Sequence, residues 1–467
     1  MKKLRTESHT TLTFIYLALI FWMPLPLGSN RAWAWSVMEL WIFSLGLAVL
    51  ILYIQNKITL PKALHHAKPI LILFLFYLLW LVLQTIPLPA SFIETIAPHV
   101  SQLSLTQDPT AWVSISANPS ETNKVLLLSL SFVIFFILLL ILIDTPKKLV
   151  WLIYTILAAG LFQATYGSFM VLTGMEYSFF FEKESYRGSA TGTFINRNHL
   201  AGYLEMILAI GIGFMISKLS NQRSHNWRDR FRHVLHFLLS SKVLIRIALI
   251  LMCIGLIVTH SRMGNSAFFA SLLISGMLFL SISKHASRST TLFLTSLIIL
   301  DIVLVGSWVG INKVVNRIEG TSLSSEQRDE VVRDSLTLIA EQPLVGIGAG
   351  NFASVFPHFQ QQDITLNYYH AHNDYIEFLV ESGIVGTVIL GLAVLYALFI
   401  AIKAMRNRRD PLLLGMAFAS FMGILSILIH SFVDFNLQIP ANAAMFILLM
   451  GLAVMSASMS AAKQHRF

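Results

Sequence analysis

The chain has 467 residues, 55% hydrophobic and 12% charged, with a formal net charge of +9 and a mean hydropathy of +0.69. Apolar runs of about 18 or more residues recur from end to end, each able to span a hydrocarbon core about 30 Å thick. Membrane β-strands would be about ten residues long with polar residues interleaved, so a barrel is excluded. A bundle of helices, which satisfy their own backbone groups in lipid, is expected.

Twelve spans are predicted in chain order, at 11–28, 33–54, 70–86, 123–143, 149–171, 199–217, 243–260, 264–282, 291–311, 377–402, 411–430 and 440–458. Pro24 and Pro26 break the outer end of the first. It lacks a small-residue cleavage site and reads as a retained helix rather than a signal peptide. Counting from inside, segments 1–10, 55–69, 144–148, 218–242, 283–290, 403–410 and 459–467 carry 22 of the 33 Lys and Arg. That is the positive-inside pattern, and it places both termini in the cytoplasm. The net charge is therefore a topology signal, and no nucleic-acid partner is expected. Cys253 stands alone in a span, where an inert thiol is the default, and no disulfide framework is possible.

The polar mass gathers in outer loops 87–122, 172–198 and 312–376. The last lies between spans nine and ten and has its own helical signature. SSEQRDEVVRDSLTLIAEQPLVGIGAGNF opens with Ser and acidic residues, a helix-start pattern. Val331, Val332, Leu336 and Ile339 then recur at helical spacing, predicting an amphipathic helix on the membrane surface that Pro343 ends. The GIGAGNF stretch has no following Lys-Ser/Thr, so it is a structural turn packed on the bundle and no phosphate-cradling P-loop. On the inner side, basic segment 218–242 interleaves Trp227, Phe231 and Leu235 and is expected to lie along the leaflet, in contact with anionic lipid.

Four polar clusters converge on the outer face if the helices pack as a bundle. They are SATGTFINRNHLAGYLEM (189–206) with Arg197, Asn198 and His199; THSRMGN (259–265) with His260 and Arg262; HAHNDYIEFLVE (370–381); and HSFVDFNLQIP (430–440) with His430 and Asp434. An arginine at an interface can simply snorkel to the headgroups. Yet the positive-inside bias disfavours arginine in short outer turns, and two guanidiniums there suit bidentate binding of a lipid-linked phosphate or pyrophosphate. His372 is a candidate general base, since an unperturbed imidazole titrates near operating pH; a capping role at the helix start remains open. His370, His260 and His430 read as ordinary loop residues. Asn373, Glu377 and Glu381 stack on one helix face, either to orient an acceptor sugar or as buried structure. Gly383 and Gly386 are expected to let helices approach closely. No Asp-x-Asp, HExxH, GxSxG or CxxC motif is present. A lipid pyrophosphate is already a good leaving group, so arginines for its charge and one base for the acceptor suffice, without metal or cofactor.

These residues carry a resemblance. His372-Asn373, nine residues, then Gly383-Ile-Val-Gly386 matches the hallmark of the O-antigen ligase and polymerase superfamily. GTFINRNHLAGYLEM, the SRMGN turn (where many relatives have Ser-Arg-Gly), PLVGIGAGNF and HSFVDFNLQIPA also resemble family sequences, over roughly 185–445. The resemblance implies an all-α polytopic fold with N-terminal membrane helices over 1–184, a catalytic region over 185–445 that includes periplasmic loop 312–376, and a final helix end and tail over 446–467. It implies a membrane-embedded C-type glycosyltransferase of the bacterial inner membrane. Such enzymes move a glycan from undecaprenyl diphosphate to an acceptor at the periplasmic face. His372 would be the base and Arg197 and Arg262 the pyrophosphate clamp. Arg328 and Arg333 would be further donor contacts, and Asn373, Glu377 and Asn198 acceptor or supporting residues. Ligation to lipid A core is favoured over polymerisation of the glycan on its carrier, because the hallmark is intact and only one outer loop is large. Protein-directed relatives often carry extra outer mass at the C-terminus, which this chain lacks. A flippase-like transporter would place charged residues near the midplane in related halves, whereas here polar residues collect at one face.

Overall fold

The computed structural model describes residues 2–96, 112–179, 181–219, 241–299, 328–361, 364 and 367–460. Expectations for most of 218–242, including Trp227, Phe231 and Leu235, and for 300–327 lie outside the described residues. The principal helices are α1 (Lys2–Trp22), α2 (Ala32–Ile54), α3 (Lys68–Thr85), α4 (Pro119–Leu142), α5 (Pro146–Thr173), α6 (Arg197–Lys218), α7 (Ser241–Val258), α8 (Arg262–Ile282), α9 (Arg288–Ile299), α10 (Arg328–Glu341), α11 (Asp374–Asn407), α12 (Pro411–His430) and α13 (Pro440–Ser458). Among the described residues, nine are long and apolar enough to cross a membrane. Shorter apolar helices occupy His9–Trp22, Val243–Val258 and Arg288–Ile299, where the other three spans were predicted. The chain is an all-α polytopic membrane protein; the only strands described are two short two-stranded pairs.

Local chemistry sets the helix starts. Asn118, Thr145, Asn196, Ser261, Asn373 and Asp410 each accept a hydrogen bond from a backbone N–H of the first turn, satisfying donors the helix cannot. Pro119, Pro146 and Pro411 follow three of these caps, where a missing N–H costs nothing. In α6, 94% of the apolar window is buried, against 28% in α2, α3 and α11. So α6 runs through the centre, against α12 and α13, and the others present wide faces outward. The α6–α12 approach is close because both are glycine at the crossing. A Cβ on Gly213 would stand 2.2 Å from the Gly415 carbonyl oxygen, the small-residue packing favoured where lipid gives helices no hydrophobic drive to associate.

That buried seam carries ionisable groups. Glu205 of α6 accepts from Ser426 at 2.6 Å and pairs with His430 Nδ1 at 2.8 Å, all three buried in α6 and α12. His430 is thus no loop residue; it closes α12 as the partner of Glu205. Removing one member of a buried pair leaves the other unsolvated. Glu205→Ala is expected to destabilise the protein by about 3–5 kcal/mol, with Glu205→Gln milder. Thermal unfolding in detergent checks this, and an unchanged midpoint for Glu205→Ala would remove the pair from any structural role.

Helix α11 has a break built into it. Gly383 adopts φ 63°, ψ −175°, a region essentially reserved for glycine. The interrupted helix is completed by segment 343–348. Ile347 and Gly348 N–H groups donate to the Val380 and Glu381 carbonyls at 2.9 and 3.0 Å. Ile384 and Val385 N–H groups donate to Pro343 and Leu344 at 2.8 and 3.3 Å. Gln84 of α3 fastens both strands of this graft: its amide donates to Val345 and Glu381 carbonyls at 2.9 and 3.1 Å and its oxygen accepts from Ala349 N at 3.2 Å. Gly383 therefore does not serve close helix packing, as the sequence suggested; it makes room for a loop. Gly386 does face a helix, since a Cβ there would lie 3.0 Å from the Trp80 ring. The GIGAGNF segment is the structural turn expected.

Helix α10 also differs from expectation. Val331, Asp334, Ser335 and Leu338 are buried, while Leu336 is 51% exposed. Val331 and Leu338 join Ile347, Phe352, Phe356, Ala371 and Val380 in a separate small core, with Ile339 packed against it. The inward face is turned from the predicted one because the helix packs on the 347–356 segment and α11.

Candidate active site at the start of helix α11

The hallmark residues sit where α11 begins. Asn373 is its N-cap, accepting from Ile376 N at 3.1 Å, while its amide donates to the Phe432 carbonyl at 2.8 Å. Asp374 is buried; its N–H donates to the Ser431 and Asp434 carbonyls, and its carboxylate accepts from Ser431 Oγ at 2.7 Å and Leu437 N at 3.2 Å. These bonds lock loop 431–437 onto the helix start. His372, just before the cap, is held at φ 52°, a left-handed conformation uncommon for a non-glycine residue.

The locked loop brings Phe435 beneath three histidines from two parts of the chain. His370 stacks on it at 4.2 Å and 14°; His372 and His199 meet it edge-on at 4.9 and 4.7 Å. Neighbouring Asp434, fully buried, pairs with His199 Nε2 at 3.6 Å and accepts from the Asn198 amide. It thereby ties the start of α6 to the same loop. Burial would push the Asp434 carboxyl up, but the neighbouring His199 and His430 rings and the hydrogen bond from Phe435 N hold it below the usual carboxylate range.

The two hallmark-region histidines differ electrostatically. Burial pushes His372 down to about 4, aided by the positive charge of Arg328; its buried Nδ1 has no hydrogen-bond partner among the described residues. His372 is thus a neutral imidazole at neutral pH, as a general base must be. For His370, burial pulls downward too, but the Glu377 carboxylate at 2.7 Å outweighs it and raises the ring's pKa. Glu377 also accepts from Ala371 N at 2.9 Å. Glu381 receives Phe352 N at 3.2 Å. The stacked Asn373–Glu377–Glu381 face is therefore buried and satisfied by a cap, a histidine and backbone N–H groups. His370, expected to be an ordinary loop residue, is instead one half of an ion pair.

The arginines divide. Arg197, half-buried, donates to Ser189 Oγ at 3.4 Å and lies 5.6 Å over the Tyr186 ring. Ser189 also meets His260 Nδ1 at 3.3 Å, and His260 leads through the Ser261 cap to exposed Arg262. His260 is thus bound into the link between the two predicted clamp arginines. Arg328 reaches the Val433 carbonyl at 3.4 Å and is the arginine whose charge bears on His372. Arg333 is exposed and donates to Asp334 at 2.8 Å; Asp334 in turn receives Gln361 N at 2.9 Å. Among the described residues no group of three or more His, Cys, Asp or Glu is placed to hold a metal ion. Phe435 and Ser189 were not singled out from sequence, because nothing distinguishes an aromatic platform or a bridging serine from its neighbours until the loops meet.

Residues 247–391 match the family model described as O-antigen ligase. This match supports membership of the O-antigen ligase superfamily. The matched segment runs from α7 through the α7–α8 turn with Arg262, α10 with Arg328 and Arg333, and the grafted turn, to the helix start with His372 and Gly383. It is narrower than the predicted 185–445 and leaves out Arg197, Asn198, Asp434 and Phe435, which reach the family segment only through folding. No curated protein matches the chain.

Proposed function

We propose that the chain is a glycosyltransferase that moves a glycan from undecaprenyl diphosphate to the lipid A core at the periplasmic face of the bacterial inner membrane. The observation that carries this reading is a neutral histidine, His372, held beside a cation, Arg328, at the mouth of a membrane helix within the family segment. A lipid-linked diphosphate lies at that depth. In the reaction the acceptor oxygen bonds to the sugar's anomeric carbon and its proton passes to His372. The carbon–oxygen bond to phosphate breaks, and its electron pair leaves on the diphosphate. Arg197, Arg262, Arg328 and Arg333 supply positive charge for the donor, while Asn373, Glu377 and Asn198 support the helix start and its loop. The diphosphate is a sufficient leaving group, so this chemistry requires neither metal nor cofactor. The donor's charge beside Arg328 also offsets the cation that depresses His372, so the base strengthens when substrate is bound.

The test offers the purified protein in detergent an undecaprenyl-diphosphate glycan with two acceptors, lipid A core and a second lipid-linked repeat. Product on lipid A core supports ligation. Extension on the carrier alone makes the protein a polymerase, and no product from a competent donor overturns transfer in favour of transport. In the same assay, Arg197→Ala and Arg262→Ala are each expected to raise the donor KM about tenfold or more, the worth of one charge-assisted hydrogen bond. A variant whose donor KM is unchanged loses its place in the clamp.

A further inference from the structure

The site holds a second histidine whose surroundings go beyond what a structural ion pair needs. Both oxygens of buried Glu377 are committed, one to His370 Nδ1 at 2.7 Å and the other to Ala371 N at 2.9 Å. The carboxylate therefore cannot rotate away from the ring. The ring also lies flat on Phe435 at 4.2 Å and 14°, so its plane is fixed from a second direction. The His370 side chain is 31% exposed, and its other nitrogen has no partner among the described residues. A ring held at one nitrogen by a carboxylate, with the other nitrogen open, is a device for presenting a proton in a fixed direction.

We propose that His370, positioned by Glu377, is a second catalytic group whose Nε2–H donates a hydrogen bond to the diphosphate oxygen leaving the anomeric carbon. This rests on the transfer reading above. Charge develops on that oxygen as the bond to carbon breaks. The proton stays on His370, and the acceptor's proton still goes to His372. Both rings pack on Phe435, so base and donor share one aromatic platform. The groups facing His370 sort the two roles. Glu377, Glu381 and Asp374 of α11 favour its cation, against the weaker opposition of His199 of α6 and of His372. His372 has no carboxylate at its buried nitrogen among the described residues, and Arg328 lies nearby. Two titratable groups whose surroundings push them apart are the arrangement that separates base from donor.

The experiment measures wild type, His370→Gln and Glu377→Gln in the two-acceptor assay across pH. It also follows carbethoxylation of His370 by diethyl pyrocarbonate, mapped by mass spectrometry. His370→Gln is expected to lower kcat about 100-fold, the effect of losing one donor to a developing oxyanion, with acceptor KM little changed. Wild-type activity falls on the alkaline side as His370 loses its proton. In Glu377→Gln, which keeps an oxygen for Ala371 N, that limb and the carbethoxylation midpoint both move to lower pH. A merely structural pair would move the carbethoxylation midpoint but leave the alkaline limb of activity in place. An active wild type with undiminished kcat in His370→Gln, or with a carbethoxylation midpoint that Glu377→Gln does not move, overturns this inference alone. A wild type that yields no product overturns the transfer reading itself.

Discussion

Replacing His372 by alanine is expected to lower turnover in the ligation assay by about 10³-fold, within the range for a lost general base, while donor KM changes little. The imidazole stands immediately before the Asn373 cap of α11, and the arginines that would hold the donor are separate residues that the substitution leaves in place. Full turnover in His372→Ala would sink the assignment. The pH dependence has a defined sign. With its pKa pushed down to about 4, free-enzyme His372 stays unprotonated until pH falls through that value. The acid limb of kcat/KM should therefore lie near 4 and not at the ordinary 6.5 of imidazole. The same shift acts on stability: between about 6.5 and 4 the unfolded chain binds the His372 proton more readily than the folded one. Folded stability is lost as pH falls through that window, and His372→Ala should lose less of it than wild type.

Gly383→Ala is expected to destabilise the protein by about 3 kcal/mol or more. Backbone strain in this region contributes about 1–3 kcal/mol for any residue with a Cβ. The new Cβ would also lie 2.2 Å from the Leu344 carbonyl oxygen and 2.5 Å from its carbon. Those are backbone atoms of the grafted segment, so relief requires segment 343–348 to leave the four hydrogen bonds it makes with α11. The small core around Phe352, Phe356 and Ala371 would loosen with it, and His372 follows Ala371 in the chain. Lower thermal stability in detergent, new protease cleavage near 343–352 and reduced transfer should appear together. Gly391→Ala is the control: it lies in the same helix with nothing within 4 Å of its would-be Cβ, and should be neutral or stabilising by up to about 1 kcal/mol. Equal behaviour of the two variants would show that the graft does not hold the loop.

The helical architecture was legible because its causes are local. Helix starts at Ala32, Arg197, Arg262, Asp374, Pro411 and Pro440 lie within three residues of the predicted ones, since hydropathy, capping side chains and proline act within a few positions. The hallmark around His372 was legible for the same reason. Other features depend on residues far apart in the chain. Asn198 and Asp434 are 236 residues apart, and Glu205 and His430 are 225. Nothing local marks His430 as the buried partner of a glutamate, and nothing local tells a glycine that packs helices from one that breaks a helix. By itself the sequence determined the fold class, the order of the described helices with many of their starts, and the candidate base. Only the tertiary structure decided that Gly383 admits a loop, that Phe435 lies under three histidines, and that Glu377 holds His370, because helix crossing and loop docking bring together groups whose chemistry has no signature until they touch.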